Sequence, residues 1–333
     1  DLHSFPTRRS SDLVGAYNLE ALMPLLTDKY ADRCMFCTDD KHPSDLLEKG
    51  HIDYIIKRAI EMGADPILAV KVASTNAARY FRLNNRGAIA PGYLADFVII
   101  DNFEDFNVEQ VFKKGRLMYD NGKLKTFPSP EVDEFLASRA HNTFKVDKLT
   151  SEAFKIDRPR GVLGMIPGEL MTTDEGYATG VDVDADILKI AVVERHNYTG
   201  HIGIGYIKGY GLKSGAVATS ISHDSHNIIV VGTNDSDMAD AVNHIAENDG
   251  GITVYDNGRC IGDVQLAIAG LMSDAPLVDV NRALETAKEK AFGLGINRSI
   301  DPFMTLSFMS LPVIPKLRLT TRGVFDVESQ SYV

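Results

Sequence analysis

The stretch CMFCTDDKHPSD, residues 34–45, governs how the rest of the chain is read. A short apolar run, Cys34 to Cys37, ends at Thr38 in two adjacent acids, Asp39 and Asp40, followed by Lys41, His42 and Pro43. Alternation along an extended segment sets Met35, Cys37 and Asp39 on one face. A strand over residues 34–38 would hold Asp39 at its carboxyl-terminal end. Two neighbouring carboxylates repel, bind a cation or divide labour. The same spacing also fits a solvated turn in which Asp40 or Ser44 caps the next helix. Cys34 and Cys37 form a C-x-x-C, but on a strand positions three apart point to opposite faces. The pair therefore reads as two packed small residues rather than a chelate.

Helical patterns lie on both sides. Residues 15–32 carry a short one. Pro43-Ser44 opens another, and HIDYIIKRAIEMG sets Ile52, Ile55, Ile56, Ala59 and Ile60 on one face, with Gly63 as a stop. Asp65-Pro66 starts a further helix, the acid as N-cap and proline in the first turn, with an apolar pattern running through Ala77 and Ala78 to Phe81. A strand, then carboxylates, then helices is the arrangement in which (β/α)8 barrels keep catalytic groups at strand ends.

From residue 86 the period changes. Short strands alternate with turns at Pro91-Gly92, Lys114-Gly115 and Asn121-Gly122, the last a strong hairpin signal. FPSPEVDEF, with Pro128 and Pro130, reads as a linker. The second half alternates strands (ILKIAVVERH, IIVVG), helices (SDMADAVNHIAENDGG, NRALETAKEKAFGLG) and a hairpin turning at Asn257-Gly258. Its glycine-rich segment, GHIGIGYIKGYGLKSGAVATSIS, lets the backbone approach something closely. Gly203, Gly205 and Gly209 lack the spacing and following helix of a dinucleotide fingerprint.

Composition excludes several classes. The 333 residues carry a net charge of −11, which argues against a nucleic-acid partner selecting a basic face. Three cysteines build no disulfide framework and fit a reducing, cytoplasmic setting. No apolar run is long enough to span a membrane. The start, DLHSFPTRRSSDL, has no signal-peptide pattern and reads as an in-frame scar over residues 1–13. The absence of an initiator Met suggests a chain that starts inside a longer protein.

The segment from CTDDKHPSD to NAARYF, with RGAIAPGYLADFVIID after it, resembles the closing part of the amidohydrolase superfamily. ERHNYTGHIGIGYIKGYGLKSGAVATSISHDSHNIIVVGTND, IAGLMSD and PFMTLSFMSLPVIP narrow the resemblance to the adenine deaminase family, over residues 14–333. The resemblance implies α/β and α+β architecture. Residues 14–85 would be the last strand-helix portion of a metal-dependent (β/α)8 barrel, 86–127 part of a small β-sandwich, 128–149 a linker and 150–333 an α+β carboxyl-terminal domain.

It also implies hydrolysis of adenine to hypoxanthine and ammonia, with a divalent metal, Mn or Fe, lowering the pKa of the attacking water. Asp39 would be the metal ligand at the end of the eighth barrel strand and would help handle the proton of that water. Asp40 would be a substrate or supporting contact. The family's His-x-His pair is missing: no two of the nine histidines are spaced by one residue. A whole barrel takes roughly 250 residues, so the expectation is a chain without most of the metal ligands and without deaminase activity alone.

SHDSHN, residues 222–227, is the second candidate. His223 and His226, with Asp224 between, could bind a metal or orient substrate. The alternative is a polar turn with His226 packed against a sheet end. Glu194-Arg195-His196 reads as an ion pair at a strand end, and LMSLPVIP as core or subunit contact, which leaves room for a homo-oligomer. Two rival functions stay open: another amidohydrolase acting on a cyclic amide or related ring, and a non-catalytic α+β binding or assembly module.

Overall fold

A computed structural model of the chain describes residues 12–13, 16–17, 19–126 and 131–333. Residues 1–11 of the expected scar and residues 128–130 of the expected linker lie outside them. The chain forms two compact units, Asp1–Glu131 and Val132–Val333.

The first unit opens with β1 (Asp12–Leu13) and β2 (Ala16–Tyr17), an antiparallel pair. α1 (Leu19–Leu22), α2 (Pro43–Glu48), α3 (Ile52–Glu61), α4 (Pro66–Ala73) and α5 (Thr75–Tyr80) follow. Ile55, Ile56 and Ala59 of α3 bury the predicted face against Phe36, Ala69 and Val72. Asp65 caps α4, its Oδ1 accepting from Leu68 N at 2.8 Å. The helix expected to run from 66 to 81 breaks at Ser74, whose hydroxyl donates back to Val70 O at 2.7 Å and whose backbone leaves the helical region (φ −123°, ψ −67°). A serine bonding the preceding turn competes with the helical ladder.

The strand expected over 34–38 is absent. Cys34 is extended (φ −100°, ψ 147°), but a strand exists through its ladder, and residues 34–38 pair with no strand among the described residues. A side chain does the anchoring instead. Buried Asn76 of α5 donates to Ala31 O at 2.7 Å and to Cys34 O at 2.9 Å.

The rest of the unit is a four-stranded antiparallel meander: β3 (Phe97–Ile100), β4 (Val108–Lys113), β5 (Arg116–Asp120) and β6 (Lys123–Leu124). Its hairpins turn at Lys114-Gly115 and Asn121-Gly122, all four residues at positive φ, as two-residue hairpin loops of the primed type require.

In the second unit, residues read as linker carry α6 (Glu134–Ala140), capped by Asp133. Then come β7 (Arg160–Met165), β8 (Thr172–Ala178), β9 (Ile187–Val193), β10 (Ile202–Lys208), β11 (Ala216–Thr219) and β12 (Ile228–Gly232). α7 (Asp235–Glu247), β13 (Gly251–Asp256), β14 (Arg259–Gln265) and α8 (Leu277–Gly293) follow, then α9 (Met304–Phe308), β15 (Leu317–Thr320), β16 (Gly323–Asp326) and β17 (Ser331–Tyr332). Eight strands form one sheet in the order β14-β13-β11-β12-β9-β10-β7-β8, antiparallel except between β10 and β7.

α7 covers one face through Met238, Val242 and Ile245, and α8 packs on the other through Leu284, Ala287 and Ala291. Central β12 is buried along its whole length, so its run IIVVG is apolar without alternation. The glycine-rich lead-in does bring backbones together. A Cβ at Gly203 would lie 1.8 Å from Thr320 O, and one at Gly205 2.6 Å from Val324 Cγ2. What approaches is the β15-β16 hairpin. Among the described residues no helix is long and apolar enough to cross a membrane.

Candidate functional site

The two expected site regions fall in different units. In the first, Asp39 takes the left-handed conformation (φ 54°), which aspartate tolerates better than most residues. Its Oδ1 accepts from Asp40 N at 3.0 Å. The segment is fastened on the far side of α2: Lys41 Nζ donates to Gly50 O at 2.9 Å, and Thr38 Oγ1 lies 3.2 Å from His51 Nε2. Neither Asp40 nor Ser44 caps α2. His42 occupies the N-cap position without a side-chain cap, and Pro43 supplies the first helical residue. Cys34 and Cys37 are half-buried, and burial raises the Cys34 thiol.

In the second unit, four sequence motifs meet. The loop 222–227 leaves β11 and returns through β12. Its His223 N donates to Ser307 O at 3.0 Å, and the His223 ring lies 4.6 Å from that of Phe308. Ser310 Oγ donates to His223 O at 3.0 Å and sits 2.5 Å from Ser222 Oγ, both serines being buried. This joins SHDSHN to the FMTLSFMS segment.

Arg195, 2% exposed, joins the other two. Its Nε donates to His226 O, its Nη2 to Ala269 O at 2.9 Å, and its guanidinium stands 4.2 Å from the centre of the Phe144 ring. Burial pulls its pKa down to about 10, still cationic at neutral pH. Gly270 must be glycine here: a Cβ would come within 2.8 Å of Phe144 Cζ and 3.0 Å of Arg195 Nη2. Glu194 receives the backbone N–H groups of His196, Asn197 and Thr199 instead of pairing with Arg195 as expected.

Within the loop, the His223 and His226 rings are 5.6 Å apart. Burial, then the neighbouring His223 and Arg195, hold His226 below its ordinary value. Its Nδ1 is buried with no hydrogen-bond partner among the described residues. The Asp224 side chain is exposed, 3.9 Å from His223 Nδ1.

A divalent metal at Asp39 needs at least three convergent ligands. Among the described residues, the one set of three or more His, Cys, Asp or Glu side chains with converging ligand atoms is His244, Cys260 and Asp263. It contains neither Asp39 nor Asp40, nor any residue of the 222–227 loop. Among the described residues, no such set of converging ligand atoms includes Asp39. Sequence reading singled out neither Asn76 nor His51, and it read Arg195 as part of an ion pair at a strand end rather than as an anchor for the loop. Only the buried arginine carried a signal, as a cation next to an apolar strand. Asn76 and His51 act from 42 and 13 residues away.

Residues 2–118 match the amidohydrolase family, and residues 168–331 match the adenine deaminase C-terminal domain. The two matches follow one another along the chain, the first over its amino-terminal third and the second over its carboxyl-terminal half. As a whole it is similar to the adenine deaminases. The adenine deaminase of Dehalococcoides mccartyi strain 195 is 44% identical over 321 residues, 94% of this chain and 56% of its own length. Adenine deaminase 2 of Carboxydothermus hydrogenoformans is 42% identical over 327 residues, 95% of this chain and 56% of its own. The chain spans about half the length of these curated relatives. Among solved structures, a beta-aspartyl dipeptidase from Fervidobacterium islandicum aligns over 33% of this chain and 32% of its own, with 23% identity and a TM-score of 0.28, too slight a likeness to carry an argument.

Proposed function

We propose that this chain is the carboxyl-terminal part of an adenine deaminase, an enzyme that hydrolyses adenine to hypoxanthine and ammonia. The observation that carries the reading is the succession, on one chain, of an amidohydrolase match over residues 2–118, which includes Asp39, and an adenine deaminase C-terminal domain match over residues 168–331. In this reading residues 14–85 complete a (β/α)8 barrel, residues 86–127 belong to a β-sandwich and residues 150–333 are the carboxyl-terminal domain. Water adds to C6 of adenine and the exocyclic amine leaves as ammonia. Asp39 takes a proton from that water and returns it to the departing nitrogen, as positioned carboxylates do in general acid–base catalysis. Asp40 contacts substrate or orients Asp39. His223, Asp224 and His226 are the substrate-side or supporting groups of the second unit.

The ligand count above makes a divalent metal, manganese or iron, dependent on side chains beyond those described. The test follows from the shared length. Residues 14–333, joined to the amino-terminal part of the Dehalococcoides relative, are expected to release ammonia from adenine, and Asp39→Asn to lower the rate by about 10²-fold or more. A folded chimera that leaves adenine untouched, while the relative deaminates it, would sink the reading. The chain alone, supplied with manganese or iron, is expected to turn over none.

A further inference from the structure

α7 and the edge strand β14 bring together a donor set that the deaminase reading does not use. Cys260 and Asp263 are three residues apart on β14, a spacing that in a regular strand faces opposite sides. The ladder slips between them: Tyr255 pairs with Cys260, whereas Val254 pairs with Gly262, leaving Ile261 as an extra residue. The bulge returns Cys260 and Asp263 to one face, the face covered by α7. From α7, His244 reaches over with Nε2 3.1 Å from Asp263 Oδ1. One ligand atom from each of His244, Cys260 and Asp263 lies within 4.8 Å of the others.

The surroundings suit a metal. Tyr255 Oη lies 3.1 Å from His244 Nδ1, which holds the ring with Nε2 toward the cluster. Metal-bound histidines are commonly oriented in this way through their second nitrogen. Thr253 Oγ1 lies 3.4 Å from Cys260 Sγ. Cys260 is exposed and the Asp263 side chain 43% exposed, so solvent has access to complete a tetrahedron. Bonds of about 2.0–2.3 Å to zinc set ligand atoms about 3–4 Å apart, a small closure from the present spacing. Nitrogen, sulfur and oxygen together favour zinc-class ions over calcium or magnesium, which take oxygen.

We propose that His244, Cys260 and Asp263 bind a zinc-class ion that fastens α7 to the edge strand β14. Binding displaces the thiol proton of Cys260 and the Nε2 proton with which His244 meets Asp263; both leave to solvent, and nothing is oxidised or reduced. A plain His244–Asp263 ion pair would need no cysteine, and that difference makes the site testable.

The full chain, stripped of metal, is titrated with cobalt(II) and the thiolate-to-cobalt charge-transfer band is followed. A band saturating at one equivalent is expected. Cys260→Ser should abolish it, His244→Gln and Asp263→Asn should each weaken binding by more than tenfold, and Tyr255→Phe by about tenfold. Cys34→Ser and Cys37→Ser should leave it intact. No band in the unsubstituted chain, the same band in Cys260→Ser, or unchanged affinity in His244→Gln would overturn the proposal. Alkylation keeps it falsifiable if a variant misfolds: zinc should slow the reaction of Cys260 with iodoacetamide at least about tenfold in the unsubstituted chain, and an unchanged rate contradicts the site.

Discussion

The side-chain amide of Asn76 donates to the carbonyl of Cys34 at 2.9 Å, and the same nitrogen serves Ala31 at 2.7 Å. This tether stands where a strand ladder was expected. It holds the start of the segment that carries Asp39. Asn76→Ala would take the amide donor from Cys34 O and leave Ala31 O its bond from Cys34 N, at a cost of about 1–3 kcal/mol in urea unfolding. A change below about 0.5 kcal/mol would mean that solvent replaces the amide and that the tether is incidental.

Arg195 ties the His226 carbonyl, the Ala269 carbonyl and the Phe144 ring to one planar cation. Lysine keeps the charge but not the fork. Arg195→Lys is expected to cost about 1–3 kcal/mol for each carbonyl left without a donor and to raise amide exchange in residues 225–227. Equal exchange in the two proteins would show that the loop is held by its serines alone.

Two histidines give opposite slopes of stability with pH. Asp263, accepting from His244, holds that imidazole above its ordinary 6.5. The folded state then binds the proton more tightly, so the contribution is full below 6.5 and is lost as pH rises through the higher folded value. Burial beside His223 and Arg195 holds His226 below 6.5. There the unfolded state binds the proton first, and stability falls as pH drops from 6.5 toward the lower folded value. In metal-free buffer, His244→Gln should remove the loss on the alkaline side, and His226→Gln the loss on the acid side. Calorimetric melts between pH 5 and pH 9 would separate the two, and matching profiles for both variants would contradict the assignments.

Gly203 and Gly180 differ in what a methyl group would meet. At Gly203 it would strike the backbone of Thr320 at 1.8 Å and of Gly323 at 2.7 Å; at Gly180 nothing lies within 4 Å. Gly203→Ala is expected to displace the β15-β16 hairpin and cost about 3 kcal/mol or more, whereas Gly180→Ala should stay within about 0.5 kcal/mol. Similar thermal midpoints for the two variants would show that the hairpin yields without cost.

Local rules account for the parts of this molecule that could be read in advance. Lys114-Gly115, Asn121-Gly122 and Asn257-Gly258 turn hairpins because few residues other than glycine and asparagine accept positive φ without strain. Asp65-Pro66 opens α4, and the helices read over residues 236–251 and 281–295 fall on α7 and on all but the first turn of α8, because capping and amphipathic spacing act within a few residues. Asp39 and the histidine loop stand out in the sequence as residue types, and the adenine deaminase resemblance as words. Other features depend on partners far along the chain. Among the described residues, 34–38 form no strand, since a strand requires a neighbouring ladder that no local pattern can guarantee. Glycines at 203 and 205 signal close approach, but only the folded chain names the hairpin that approaches. Ser222 meets Ser310 across 88 residues, and Arg195 reaches Ala269 across 74. Such contacts arise from burial of the whole sheet between its helices, a cooperative outcome of packing that no short window of sequence contains.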